Sequence, residues 1–196
     1  NSAGLTGVQI GQRLVDDVDF GGSRGAATGI GFSMVRGDLS DHFDPRNKQI
    51  GLSEKVASES SVAAMAVTAH EVSHAQQDAE GTVAMKARAF LVPAVTFSPT
   101  ISYILIFVGL IFNLTGLFWL GIIVFGLMVI FSILTLPVEI GASRRALVML
   151  RENGLMQTQE DEEGVKRVLT AAAMTYVAAA VTSILTLLYY ISIARR

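Results

Sequence analysis

Apolar and polar positions are distributed unevenly along these 196 residues. Up to residue 88 they intermingle. Residues 89–138 then run for 50 positions without one Asp, Glu, Lys or Arg, and residues 168–194 run for 27 more. A bilayer core about 30 Å thick is crossed by roughly 20 helical residues. The first run is therefore long enough for two crossings and the second for one. The single polar break near the middle of the first run is "NLTG" at 113–116, so residues 93–112 and 117–136 read as a helical hairpin. The pattern predicts a mainly α membrane protein with three transmembrane helices. Neither uncharged run carries Asp, Glu, Lys, Arg or His, which disfavours a transporter or channel, whose crossings should hold some.

The mixed region reads as short elements. "TGVQ" at 6–9 has the capping-box spacing and opens a helix through about Asp17. "GGSRGAATGIG" at 21–31 lacks the Gly-Lys-Ser/Thr of a phosphate loop and reads as plain loop. Ile30, Phe32 and Met34 alternate with small or polar residues, as in a half-buried strand. Asp44-Pro45 is turn chemistry leading into a second strand at 49–53. Ser58, Ser60 or Ser61 then caps a helix with an apolar stripe of Val62, Met65, Ala69 and Val72, ended near Glu80 by Gly81. Residues 139–153 read as a further helix ended by Gly154. A second capping box, Thr158 to Asp161, opens the helix that becomes the third crossing. The expected divisions are 1–88, a soluble domain; 89–138, the hairpin; 139–167, a helix and connector; and 168–196, the last crossing.

Half of the residues are apolar (51%), which is high for a soluble domain of this size. There is no cysteine, which excludes disulfides and thiolate metal sites, and the net charge of −2 gives no reason to expect a nucleic-acid partner.

Of three histidines, two stand in "VTAHEVSHAQQD", a His-Glu-x-x-His pattern. On a helix, His70 and His74 lie on one face about 6 Å apart, so both imidazoles can reach one zinc ion. Glu71 is placed to take a proton from a water without being a ligand. A catalytic zinc expects three protein ligands. Glu80 stands where the longer metalloprotease motif has its third ligand, but that arrangement needs a glycine turn where this chain has Gln77. On an unbroken helix Glu80 is about 9 Å too far along the axis, and Asp78 sits toward the far side. Glu139 is the better candidate: two crossings return the chain to the membrane face that it left, just before this residue.

These residues, with "GLTG", "DHFDPRNKQIGLS", "TAHEVSHAQQDAEG", "LPVEIGASRRAL" and "AAAMTYVAAA", resemble the YugP-like family of bacterial neutral zinc metallopeptidases over nearly the whole chain. Ser73 departs from the glycine usual there. The resemblance implies a multi-pass protein of the bacterial plasma membrane, with a further crossing ahead of Asn1. A more distant similarity to the HtpX and CAAX-prenyl-protease families implies a gluzincin-like domain with a small β-hairpin or sheet. There the third ligand is the Glu of a Glu-x-x-x-Asp pattern, matched here by Glu139, with Ser143 at the aspartate position. The polar groups of 41–46 read first as a turn that satisfies itself, with His42 or Arg46 approaching substrate as the alternative. Arg144 and Arg145 read as orientation charges beside a membrane helix or as a second such pair, and the strand at 49–53 could pair with an extended substrate as edge strands do.

The function expected is zinc-dependent hydrolysis of peptide bonds in membrane or juxtamembrane proteins. Zn2+ would be held by His70, His74 and Glu139, with Glu71 as general base. The alternative is an inactive zinc-binding membrane scaffold or regulator. The expected partners are the lipid bilayer and a membrane protein or peptide substrate; a regulatory membrane partner or homo-oligomer is left open. Lys86, Arg88, Arg144, Arg145, Arg151, Lys166 and Arg167 outnumber Arg195 and Arg196 at the opposite ends of the crossings, which favours a cytoplasmic site.

Overall fold

A computed structural model describes residues 1–195; Arg196, counted above as a flanking charge, lies outside the described residues, as do the side chains at 84, 89, 93 and 94. Among the described residues six α-helices and three strands follow in the order α1 (Gly7–Asp17), β1 (Gly31–Val35), β2 (His42–Asp44), β3 (Gln49–Ser53), α2 (Glu54–Ser58), α3 (Val62–Ala79), α4 (Val83–Ile111), α5 (Thr115–Glu152) and α6 (Gln159–Ala194), and the glycine-rich stretch read as plain loop holds one 3-10 turn at Gly25–Thr28. The chain is mainly helical with one small sheet, as expected. It divides into two compact units, the first made of Asn1–Thr82 and Ile140–Ala173, the second of Val83–Glu139 and the stretch from Met174 onward.

In the first unit, α1 starts as its capping box dictates. The Thr6 hydroxyl accepts from the Gln9 amide and the Gln9 side chain accepts from the Thr6 amide, so two otherwise unpaired donors are satisfied. Gly7 follows because α1 lies close against its neighbours. A Cβ there would stand 2.0 Å from the Val56 carbonyl oxygen and 2.8 Å from Thr68 Oγ1. Ile10 and Leu14 are thereby sunk into a core shared with Ile50, Leu52, Met65, Ala69, Val72, Met149 and Leu150.

The sheet has the order β1-β3-β2, with β1 parallel and β2 antiparallel to β3. This corrects the reading of 49–53 as an edge for substrate: β3 is the central strand, with both sides taken by its neighbours. It is central because Ile50 and Leu52 are fully buried, whereas Met34 in β1, expected on a half-buried face, is 65% exposed. The β2–β3 turn satisfies itself. Asp44 accepts from the Arg46 amide and from Asn47 Nδ2, and these bonds, the Asn47 side chain foremost, hold its carboxyl below the usual aspartate range.

Among the candidate caps of α3, Ser61 is the one used, accepting from the Ala64 amide. Gly81, at φ +61°, terminates the helix as expected. The helix expected at 139–153 is not separate. Residues 115–152 form one helix that runs straight through Pro137, so the missing proline N–H removes one bond without ending it. The second capping box is half formed: the Asp161 amide donates to Thr158 Oγ1, while the Asp161 carboxylate receives the Ser2 amide and hydroxyl.

In the second unit, α5 and α6 are each long and apolar enough to cross a membrane. Within α4, Met85–Val92 and Val95–Ile111 meet at a 51° bend and pass the same test only as a pair; the break falls at a proline in the sequence, where a kink is expected. Ile106, Phe118 and Ile122 form this unit's small buried cluster, and Phe97, Phe107, Phe112, Ile123, Leu185 and Leu188 point outward.

Replacing Thr6 by Ala should cost about 1 kcal/mol of stability through the lost cap. Replacing Gly7 by Ala should cost more, about 1–3 kcal/mol, although Ala is the better helix former. Thermal denaturation of the two variants in detergent checks that order.

Candidate metal centre

The His70–His74 pair is built as the i, i+4 spacing requires. Both lie in the middle of α3, with ring centroids 4.7 Å apart and ring planes at 85°. His74 and the intervening Glu71 are buried, at 7% and 8% exposure. Each imidazole has a neighbour at Nδ1. Ser143 Oγ on α5 stands 3.4 Å from that of His70, at the outer limit for a hydrogen bond. Gln77 Oε1 stands 3.0 Å from that of His74. An amide oxygen only accepts, so Nδ1 of His74 is the donor, and in the neutral ring the lone pair is then on Nε2.

Glu139 is the last residue before Ile140 on the same unbroken helix, and its side chain is 1% exposed. One ligand atom from each of His70, His74 and Glu139 lies within 4.8 Å of the other two. Two imidazole nitrogens and a carboxylate oxygen, without thiolates, are a donor set that suits zinc and leave a fourth position for water. Arg88 Nη1 donates to Glu139 Oε1 at 2.7 Å. Since a carboxylate has two oxygens, Arg88 can hold one while the other serves as ligand.

The remaining candidates are placed as follows. Arg145 grips Glu80 through two bonds of 2.7 Å and reaches Gln76 Oε1 at 3.1 Å, so it ties α5 to the end of α3. Glu80, weighed as a third ligand, is thus engaged elsewhere. Arg144 and Arg145 line a cleft of about 620 Å³ together with Arg24 and Glu152. His42 is exposed with its Nδ1 2.8 Å from the Ser40 carbonyl oxygen, and Asp41 accepts from the Ser53 amide and hydroxyl. Ser73, where glycine is usual, is fully buried; its hydroxyl donates to the Ala69 carbonyl at 2.8 Å and contacts Met149 Sδ at 3.6 Å.

Two residues at the centre were missed from sequence. Gln77 counted only as the glycine that is not there, and Arg88 only as a flanking charge. The signal for Gln77 was its place one turn beyond His74. Arg88 gave none, since its contact joins positions 51 apart in sequence.

Over residues 1–195 the chain matches the family described as "putative neutral zinc metallopeptidase". It is also 38% identical over 192 residues, 98% of this chain and 82% of the relative, to a Bacillus subtilis protein named "putative membrane protease YugP". No solved structure matches. Zinc is the metal which that family implies, and the donor set fits it.

Replacing Arg88 by Gln withdraws a cation from a buried carboxylate. The stability of the chelator-treated protein should fall by about 1–3 kcal/mol, read as a lowered melting temperature in detergent.

Proposed function

The chain belongs to the neutral zinc metallopeptidase family, and from that premise we propose that it is a membrane-embedded endopeptidase of the gluzincin type. The observation that carries this reading is the approach of the His70, His74 and Glu139 donor atoms to one another, with Glu71 on the same turn of helix as His70.

In this reading His70, His74 and Glu139 hold zinc. Bound there, the ion supplies Lewis acidity toward the scissile carbonyl and toward the attacking water. The chain's own groups do the rest. Ser143 Oγ on α5 stands 3.4 Å from His70 Nδ1. Glu71 lies one residue beyond a ligand, so its side chain points away from the ligand face by about 100°. It can take a proton from the water on a carboxylate oxygen and pass it to the departing amine nitrogen. Burial of Glu71 and His74 limits bulk water around that proton transfer.

The substrates proposed are membrane or juxtamembrane polypeptides, because both segments that carry ligands continue directly into apolar helices: α3 into α4, and α5 on the N-terminal side of Glu139. We assign α4, as one bent span, together with α5 and α6 to a multi-pass arrangement. The basic residues flanking these spans support a cytoplasmic site.

The test is zinc content and cleavage of a membrane-protein substrate in detergent or liposomes. Wild type should carry one zinc and cleave. Glu71→Gln should keep its zinc and cleave at least about a hundredfold more slowly, and Glu139→Ala should lose the metal. Normal cleavage by Glu71→Gln would sink the protease reading and leave a zinc-bearing scaffold.

A further inference from the structure

The imidazole of His74 has a dedicated partner whose own placement depends on an absent side chain. Gln77 follows His74 by three residues on α3, so the two side chains leave the same face of the helix. Both are buried, at 7% and 5% exposure, and His74 Nδ1 lies 3.0 Å from Gln77 Oε1. In the neutral ring this arrangement puts the proton on Nδ1, where the amide oxygen accepts it, and the lone pair on Nε2.

A glutamine side chain has three rotatable bonds and needs something to hold it. The room that its amide occupies lies beside Gly141 on α5. A Cβ at Gly141 would stand 3.1 Å from Gln77 Nε2, closer than the ordinary 3.4–4 Å contact range. Gly141 has ordinary negative φ and sits within a continuous helix, where glycine costs about 1 kcal/mol against alanine. No turn or backbone requirement accounts for it. The space that its missing side chain leaves is the seat of the Gln77 amide.

We propose that Gln77 is a positioning residue for the metal centre, fixing the ring plane and tautomer of His74, and that Gly141 is retained to seat its amide. This rests on the reading of His70, His74 and Glu139 as metal ligands. It also gives Gln77 a role of its own at the position where a longer metalloprotease motif has a turn glycine. Here the helix continues, and the residue serves the ligand behind it instead of bending the chain toward Glu80.

The test uses the full chain in detergent. Zinc affinity is measured by competition with a chromophoric chelator, and the visible spectrum of the cobalt(II)-substituted protein reports ligand geometry. Gln77→Ala should weaken zinc binding by about 10–100-fold and alter the cobalt bands. Gln77→Glu, which still offers an acceptor to Nδ1, should restore affinity to within a few-fold of wild type. Gly141→Ala should weaken binding even though alanine favours the helix. In the Gln77→Ala background the same change should have no further effect, because the amide it displaces is gone. Wild-type affinity and spectrum for Gln77→Ala overturn the proposal, as does a Gln77→Glu variant no better than Gln77→Ala, or full additivity of the two alanine changes. A wild-type protein that binds no zinc overturns the metal-site reading itself, and the proposal with it.

Discussion

The candidate centre depends on how closely residues 140–150 of α5 lie along α3. Ala142 and Ala146 are fully buried, Ser73 touches Met149, Ser143 reaches His70, and the Gln77 amide rests against Gly141. Small side chains along one stripe allow this approach, much as they do between helices in a membrane. Arg145, bound at both guanidinium nitrogens to Glu80, fixes how far one helix can slide past the other. A slide of one residue, about 1.5 Å, would break each of those pairings together. Ligand geometry is therefore a property of the helix contact before it is a property of any single histidine.

The second unit follows another solvent's rules. Many of its outward residues are large and apolar, and several of its hydroxyls bond back to the protein backbone. Ser102 donates to the Gly121 carbonyl, while Thr96, Ser132 and Thr186 donate back to carbonyls four residues earlier on their own helices. Where no water is available, a hydroxyl left unpaired is costly, and the carbonyl one turn back is the nearest acceptor. The first unit, by contrast, gathers its apolar groups in one core.

Elements governed by local chemistry were readable in advance. The Thr6 capping box, the Ser61 cap, the Gly81 and Gly154 stops and the break at Asn113 each depend on a few consecutive residues. Strand order was not readable, because β2 is three residues long and its pairing with β3 depends on where Ile50 and Leu52 are buried. The joining of two expected helices into α5 was also missed, since a proline is usually a sound place to end one. At the centre, the spacing of the two histidines and the return of the chain to Glu139 were evident. Their supporting contacts, Arg88 to Glu139 and Gln77 to Gly141, are tertiary and left no periodic trace.

The empty space at Gly141 makes the histories of two positions interdependent. A lineage that acquired alanine at 141 while glutamine still stood at 77 would gain helix stability and disturb a ligand in one step. A lineage that first lost the glutamine could take alanine at 141 freely, and a glutamine regained later would have to shift its amide away from the new methyl group. Such order-dependence makes a single missing methyl group bear on the path of descent as well as on the site.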